Sequence, residues 1–428
     1  MKIITKKNIL FIIILIYGYV LFSQTNNSKK IVNHIKCPSV NDDIRQAFSN
    51  RIINIKNTYS SENFEDLEFL KKIIGDKKYV FLGESSHYVE EYSAIKERLI
   101  KYLHKEKGFD VLLFESDLFN CNTSYLICNS LTVSEFLENS IYDIWHTDVN
   151  YDLFNYIKES KDSKNPLYFS GFDIKKSNIT DSRLLYHYYK NYLKAKDFTE
   201  FIALDTIINS YFNTVILNKN KKEYQSDLSQ NLTDRCNELL NSINTYKANK
   251  ERDIFKRIIQ DKIYLLNIIR QANNNPQKYN VLRDKYMAEN LEWFAEKIFP
   301  DKKIIIWAHN QHICDNPDLG KYIPEVPSMG HNISEKMKEQ SYVIGLFGLK
   351  GNEGWKKHDV NYMKKNSLEA VICKTGNDIS FIDFTKKFNI DYNKKIYLWE
   401  QEKSINKIKQ LYDGLLFIRN ISAAKYLH

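Results

Sequence analysis

Residues 79–103 read YVFLGESSHYVEEYSAIKERLIKYL. Tyr79–Leu82 is a short run with no charged or amide side chain, the pattern of a strand buried on both faces. Gly83 permits a sharp turn after it. Then Tyr88, Tyr92, Ile95, Leu99 and Leu103 recur at steps of three and four, which places them on one face of a helix. Strand, turn and helix in direct succession form the repeating unit of an α/β fold. Moving outward, similar apolar runs occur at Val111–Phe114, Leu167–Ser170, Ile304–Trp307, Tyr342–Phe347, Ile396–Leu398 and Leu415–Ile418. Upstream, residues 64–75 read as a helix ending at Gly75. The pattern predicts an α/β fold with a mostly parallel central sheet covered by helices.

One stretch breaks the rhythm. Residues 180–298 contain no convincing strand, and Phe255, Ile258, Ile259, Ile263, Leu266 and Ile269 form an apolar helical stripe. A helical insertion over about 180–298 is expected, with polar loops at 218–232 and 271–279. The N-terminus has a different character. Lys2, Lys6 and Lys7 precede an apolar run, Ile9–Phe22, and polar residues follow. That is the layout of a secretory signal peptide, and the run is short for a membrane span of about 20 residues. The expected organisation is a signal peptide at 1–23, a polar leader at 24–50 and a catalytic domain at 51–428. Contact with a membrane is expected only through the N-terminal segment.

The chain has 428 residues, 43% hydrophobic and 27% charged, enough for a large core. Losing residues 1–23 removes three lysines and no acid, so the formal charge falls from +9 to about +6. The lysines are scattered, with no arginine-rich block, which argues against a nucleic-acid partner. Six cysteines, at 37, 121, 128, 236, 314 and 373, include no CxxC pair, which argues against a zinc ribbon. Cys121 and Cys128 are spaced so that they can pair, and isolated buried thiols are an equally good reading.

The reactive residues follow the strands. Leu82 leads to Glu84 and His87, Phe114 to Glu115, Ser170 to Asp173, and Trp307 to His309 and His312. In open α/β sheets ligands bind beyond the carboxyl ends of the strands. If these strands are parallel and adjacent, the residues converge on one rim. Ser85 or Ser86 is placed to cap the following helix. An imidazole at His87 beside the Glu84 carboxylate is suited to take a proton from water. Glu115 follows an apolar run, and Lys96 and Arg283 are candidate partners for it. Lys96 also reads as a surface lysine. No G-x-S-x-G elbow occurs, which disfavours a serine nucleophile. Glu84, His87, Glu115, His309 and His312 also suit a divalent ion, although an isolated HxxH is a weak metal signal.

Several of these segments resemble the erythromycin esterase family. They are FLGESSHYVEEY at 81–92, GFDVLLFE at 108–115, GFD at 171–173, RDKYMAEN at 283–290 and WAHNQH at 307–312. Ser328-Met329-Gly330 and Tyr412-Asp413-Gly414 are shorter matches, and the whole spans roughly residues 78 to 420. The resemblance implies an erythromycin-esterase-like α/β sheet and hydrolysis of a carboxylic ester or macrolide lactone by water, an activity tied to antibiotic resistance. It implies a histidine base at His87, supporting acids at Glu84 and Glu115, and a further histidine at His309. Lys96, Arg283, His312 and Asp173 are the expected substrate-binding residues. No cofactor and no metal is expected. Some members carry arginine where this chain has Lys96, which bears on bidentate recognition there. Resistance esterases act inside the cell, whereas this chain carries an export signal and is expected in the periplasm or outside the cell. A metal-dependent hydrolase on the same residues and an exported binding protein without catalysis are the alternatives.

Overall fold

The computed structural model describes residues 36–59, 63–175, 194–217, 224–272, 276–316, 327–356 and 358–427. The chain divides into two compact units, Met1–Cys37 and Pro38–His428, and the second contains the sheet and its helices. The expected signal segment, the leader up to residue 35, and residues 180–193, 218–223 and 273–275 of the expected insertion lie outside the described residues.

Eleven strands are found among the described residues: β1 (Ile52–Ile55), β2 (Tyr79–Leu82), β3 (Phe109–Asp117), β4 (Tyr168–Asp173), β5 (Lys303–Trp307), β6 (Ser341–Gly351), β7 (Val360–Asn361), β8 (Ile379–Asp383), β9 (Lys395–Leu398), β10 (Gln401–Ser404) and β11 (Gly414–Ile421). The main sheet runs β1-β8-β11-β6-β2-β5-β3-β4, with β7 beside β6. All neighbours from β11 to β4 are parallel. The β8 strand is antiparallel to both β11 and β1. A mostly parallel sheet requires cover on both faces, and its middle strands are buried apart from Lys303 at the start of β5. Val80, Leu82, Leu112, Phe114, Phe169, Ile305 and Trp307 belong to one continuous core. Each such side chain contributes about 1.5–3 kcal/mol on burial.

Four elements differ from expectation. Ile396–Leu398 does form a strand, β9, but it pairs with β10 in a separate two-stranded sheet and bridges Ser367, outside the main sheet. Part of the expected polar leader folds: Asp42–Ser49 is a helix whose Ile44, Ala47 and Phe48 are buried, with Phe48 against Phe384 and Phe388. Residues 64–75 split into a 3-10 turn, Glu65–Leu67, and a short helix, Phe69–Ile74, closed by Gly75 at φ 52°. Of the expected polar loops, Ser226–Asn244 and Pro276–Trp293 are helices. With Ala195–Phe212, Lys250–Ala272 and the π-helical turns Asn213–Leu217 and Phe294–Ile298 they form most of the helical insertion, which contains no strand among the described residues. Cys121, Cys128, Cys236 and Cys314 are free and buried, so the Cys121–Cys128 pairing does not form. Among the described residues no helix is long and apolar enough to cross a membrane.

Candidate active site

The sheet order β2-β5-β3-β4 decides where the reactive residues meet. Leu82 of β2 is level with Trp307 of β5, Trp307 with Phe114 of β3, and Phe114 with Gly171 of β4. Glu84, His309, Glu115 and Asp173 therefore leave four adjacent parallel strands along one rim. The register is tight at two points. A Cβ on Gly83 would lie 2.0 Å from Asn310 Oδ1, and one on Gly171 would lie 2.2 Å from the Ser116 carbonyl oxygen. Gly83 is thus demanded by close approach. The Asn310 side chain spans that gap: its amide donates to the Leu346 carbonyl at 2.8 Å, and its oxygen accepts from Leu346 N–H at 3.1 Å.

Glu84 is fully buried. Its Oε1 accepts from Trp145 Nε1 at 3.0 Å and lies 2.7 Å from His87 Nδ1. Its Oε2 takes a short hydrogen bond from Lys96 Nζ. Burial opposes ionisation, but the Lys96 charge and the His87 hydrogen bond outweigh it and hold the carboxyl below its ordinary range. Lys96 is also fully buried, with Nζ 3.5 Å from the Trp307 ring centroid. Desolvation lowers its pKa to about 8, against the opposing pull of Glu84 and Glu115. It is therefore neither a surface lysine nor a group that reaches solvent. The His87 side chain keeps 26% of its surface exposed. In the neutral ring the proton sits on Nδ1, which faces the carboxylate, and the lone pair on Nε2.

His309 stands between the two carboxylates, with its ring centroid 4.9 Å from that of His87. Its main-chain N–H donates to Glu115 Oε2 at 2.7 Å. Its Nδ1 accepts from Gln311 N–H at 3.1 Å, so the ring caps the short helix Asn310–Ile313. Desolvation, with His87 and His312 close by, lowers its pKa to about 3 and keeps it neutral. A neutral ring that accepts at Nδ1 bears its proton on Nε2. The two neighbouring histidines thus hold opposite tautomers: His87 offers a lone pair and His309 a donor.

Glu115 lies in a second network. Arg283 Nη2 donates to its Oε1 at 3.0 Å, and His312 Nε2 lies 3.2 Å from the same oxygen. Arg283 also grips Asp173, with Nη2 at 2.6 Å from Oδ2 and Nε at 3.1 Å from Oδ1. His312 Nδ1 pairs with Asp284 Oδ1 at 2.8 Å. Burial opposes charge on Glu115, yet His312 and Arg283 hold it well below its ordinary range. Burial likewise opposes charge on His312, but Asp284 and Glu115 prevail and raise it to about 10.

All eight residues named from the sequence meet around this rim, in two groups. The four expected to bind substrate are largely committed elsewhere. Lys96 and Asp173 are fully buried, and the side chains of Arg283 and His312 are only 14% and 16% exposed. Lys96, Arg283 and His312 are paired with carboxylates, and Asp173 with Arg283 and Tyr142. Neither serine caps the helix Glu90–Lys107, whose N-cap is Val89: Ser85 Oγ instead lies 2.9 Å from Tyr92 Oη. Trp145 and Asp284 were missed. Asp284 sits inside the RDKYMAEN segment next to Arg283, and that place was the available signal; Trp145 follows no strand and gave none. A cleft of about 470 Å³ opens from His309 between Phe347, Tyr412 and the β9–β10 hairpin, where Leu398 and Trp399 form a wall. Among the described residues no three His, Cys, Asp or Glu side chains are grouped to hold a metal ion. The donor set explains this, because Lys96, Arg283 and His312 already neutralise the carboxylates that a cation would need.

Comparison with known proteins identifies the family. The family model for erythromycin esterase matches residues 104–421. A Bacillus subtilis (strain 168) protein named "Putative hydrolase YbfO" is 30% identical over 401 residues, covering 85% of this chain and 88% of that one. The erythromycin esterase type II of Escherichia coli is 23% identical, covering 78% of this chain and 86% of that one. The fold is shared with a mutant of the erythromycin esterase EreC solved in its open conformation, with a TM-score of 0.62 at 15% identity, covering 87% of this chain and 98% of that one. The chain therefore belongs to the erythromycin esterase family and is a hydrolase of that family.

Proposed function

We propose that this hydrolase is exported and cleaves carboxylic esters, macrolide lactones among them, with water activated by His87. The observation that carries the proposal is the pair of rings at His87 and His309, 4.9 Å apart, the first with Nδ1 against Glu84 Oε1 and the second accepting at Nδ1 from Gln311 N–H. His87 Nε2 accepts a proton from water as the water oxygen attacks the ester carbonyl carbon. Glu84, held ionised by Lys96, accepts the hydrogen bond from Nδ1 and stabilises the imidazolium that forms. The Nε2–H of His309 donates to the carbonyl oxygen as it gains negative charge. The tetrahedral intermediate then expels the alkoxide, and His87 returns the proton to it. A linear ester yields an acid and an alcohol, and a lactone opens to a hydroxy acid. The cleft beside His309, lined by Phe347, Leu398, Trp399 and Tyr412 together with Gln311 and Lys403, is of ordinary ligand size.

Export is supported by the N-terminal apolar run and by Cys37 and Cys373, each disulfide-bonded, because disulfides persist in oxidising compartments. One experiment tests both parts. The full chain is expressed, the exported fraction is recovered, and that fraction is incubated with macrolides and simpler esters before mass spectrometry. A gain of one water on at least one substrate is expected. Recovery only from the cytoplasm would remove export, and no gain on any substrate would remove ester hydrolysis.

A further inference from the structure

We propose that Ser422–Leu427, the segment after β11, is a clasp that holds the His87 loop against the Trp145 loop and so sets the orientation of the catalytic imidazole. The inference rests on His87 acting as the base. On one side of the segment, Glu90 N–H donates to the Ser422 carbonyl at 3.0 Å, and Ala424 N–H donates to the Tyr88 carbonyl at 2.9 Å. On the other side, Asp148 N–H donates to the Lys425 carbonyl at 3.1 Å, and Leu427 N–H donates to the His146 carbonyl at 3.0 Å. The segment thus lies as a short antiparallel strand between two loops, bridging Val89 with Ala423 and Thr147 with Tyr426. Tyr88 directly follows His87, and His146 directly follows Trp145.

The two loops converge on a single atom. Glu84 Oε1 receives Trp145 Nε1 at 3.0 Å and faces His87 Nδ1 at 2.7 Å, while the Trp145 and His87 rings stand 5.0 Å apart and nearly perpendicular. Any widening between the loops turns His87 or draws Trp145 from Glu84. Most clasp side chains are exposed, so its hold is chiefly through the main chain. Glu91 adds a side-chain tether, accepting from Ser422 N–H at 2.7 Å and Ser422 Oγ at 2.6 Å. The clasp also lies beyond the residues matched by the family model. Its residues are positioning residues, not catalytic ones.

Ala424→Pro deletes the donor to Tyr88, because proline has no N–H, while Ala424→Gly retains it. A chain lacking residues 422–428 removes the clasp without introducing proline. Each protein is examined by nitrogen-15 spectroscopy of the His87 ring, by kinetics on an ester hydrolysed by the unaltered protein, and by thermal unfolding. For Ala424→Pro and for the shortened chain, kcat is expected to fall about 10- to 100-fold, with little change in KM. The His87 spectrum should move towards a mixture of tautomers, whereas Ala424→Gly should keep rate and spectrum. Unchanged kcat and spectrum would overturn the clasp. So would a loss of rate that only tracks the unfolded fraction, with the folded protein's His87 spectrum unaltered. If the unaltered protein hydrolyses no ester, the esterase reading fails, and the His87 spectrum alone still decides the clasp.

Discussion

Two histidine–glutamate pairs lie side by side on this rim and behave in opposite ways. His312 is pinned between Glu115 and Asp284, and its pKa is raised to about 10. These carboxylates favour its charged form at neutral pH. His87 touches one carboxylate, Glu84, whose charge is already balanced by Lys96. Among the described residues no partner meets its other nitrogen, and a quarter of its side-chain surface is open. The difference lies in how many carboxylates each imidazole faces and where the balancing cation sits. An imidazole held between two carboxylates becomes scaffold, and one that faces a single carboxylate with its own lysine counter-ion remains available as a base.

The strongest break in this contrast is His87→Asn. Because asparagine removes the base but keeps a donor near Glu84, kcat should fall about 10²–10⁴-fold while the midpoint of thermal unfolding stays nearly constant. Similar losses of rate and stability would make His87 another scaffold residue. The converse variant is His312→Gln, which leaves Glu115 and Asp284 buried with one cation fewer. Removing one partner of such a network costs about 3–5 kcal/mol, readable in urea unfolding. The pH dependence sharpens the point. The pKa of His312 in the folded protein, about 10, lies above the ordinary 6.5, so its contribution is complete below pH 6.5 and disappears as pH rises through 10. Urea titrations at several pH values should show a gap between the two proteins that closes across that window; a constant gap would refute the assignment. The smallest expected effect is that of Lys96→Arg. Lys96 loses its charge near pH 8, leaving Glu84 without its counter-ion, so the rate should decline above that pH. Arginine stays charged, and its pH–rate profile should lose that alkaline limb with little change below it. An identical limb in both proteins would show that Lys96 does not set it.

Much of this was legible because strand ends are local features. An apolar run followed at once by glutamate or histidine marks a position on the sheet rim, and Glu84, Glu115, Asp173 and His309 were all found that way. The strands least visible were β1 and β8. Ile379–Asp383 carries a buried serine and no long apolar run, and its hydrogen-bond partners, β11 and β1, lie far away in sequence. The Ile396–Leu398 run was correctly read as extended but wrongly joined to the main sheet, since a short apolar run specifies a strand and not its partner. The phenyl ring of Phe48 explains why the leader folds: its neighbours Phe384 and Phe388 lie more than 300 residues away.

By itself the sequence determined the alternation of strands and helices, the family, and the residue types that carry chemistry, because each of these is written in runs of a dozen residues or fewer. Only the tertiary structure decided that β5 lies between β2 and β3, which carboxylate each cation neutralises, and hence which histidine is free to accept a proton. Protonation is governed by charges and burial within a few ångströms, and here those neighbours, from Glu84 and Trp145 to Arg283 and His312, come from segments that only the folded sheet brings together.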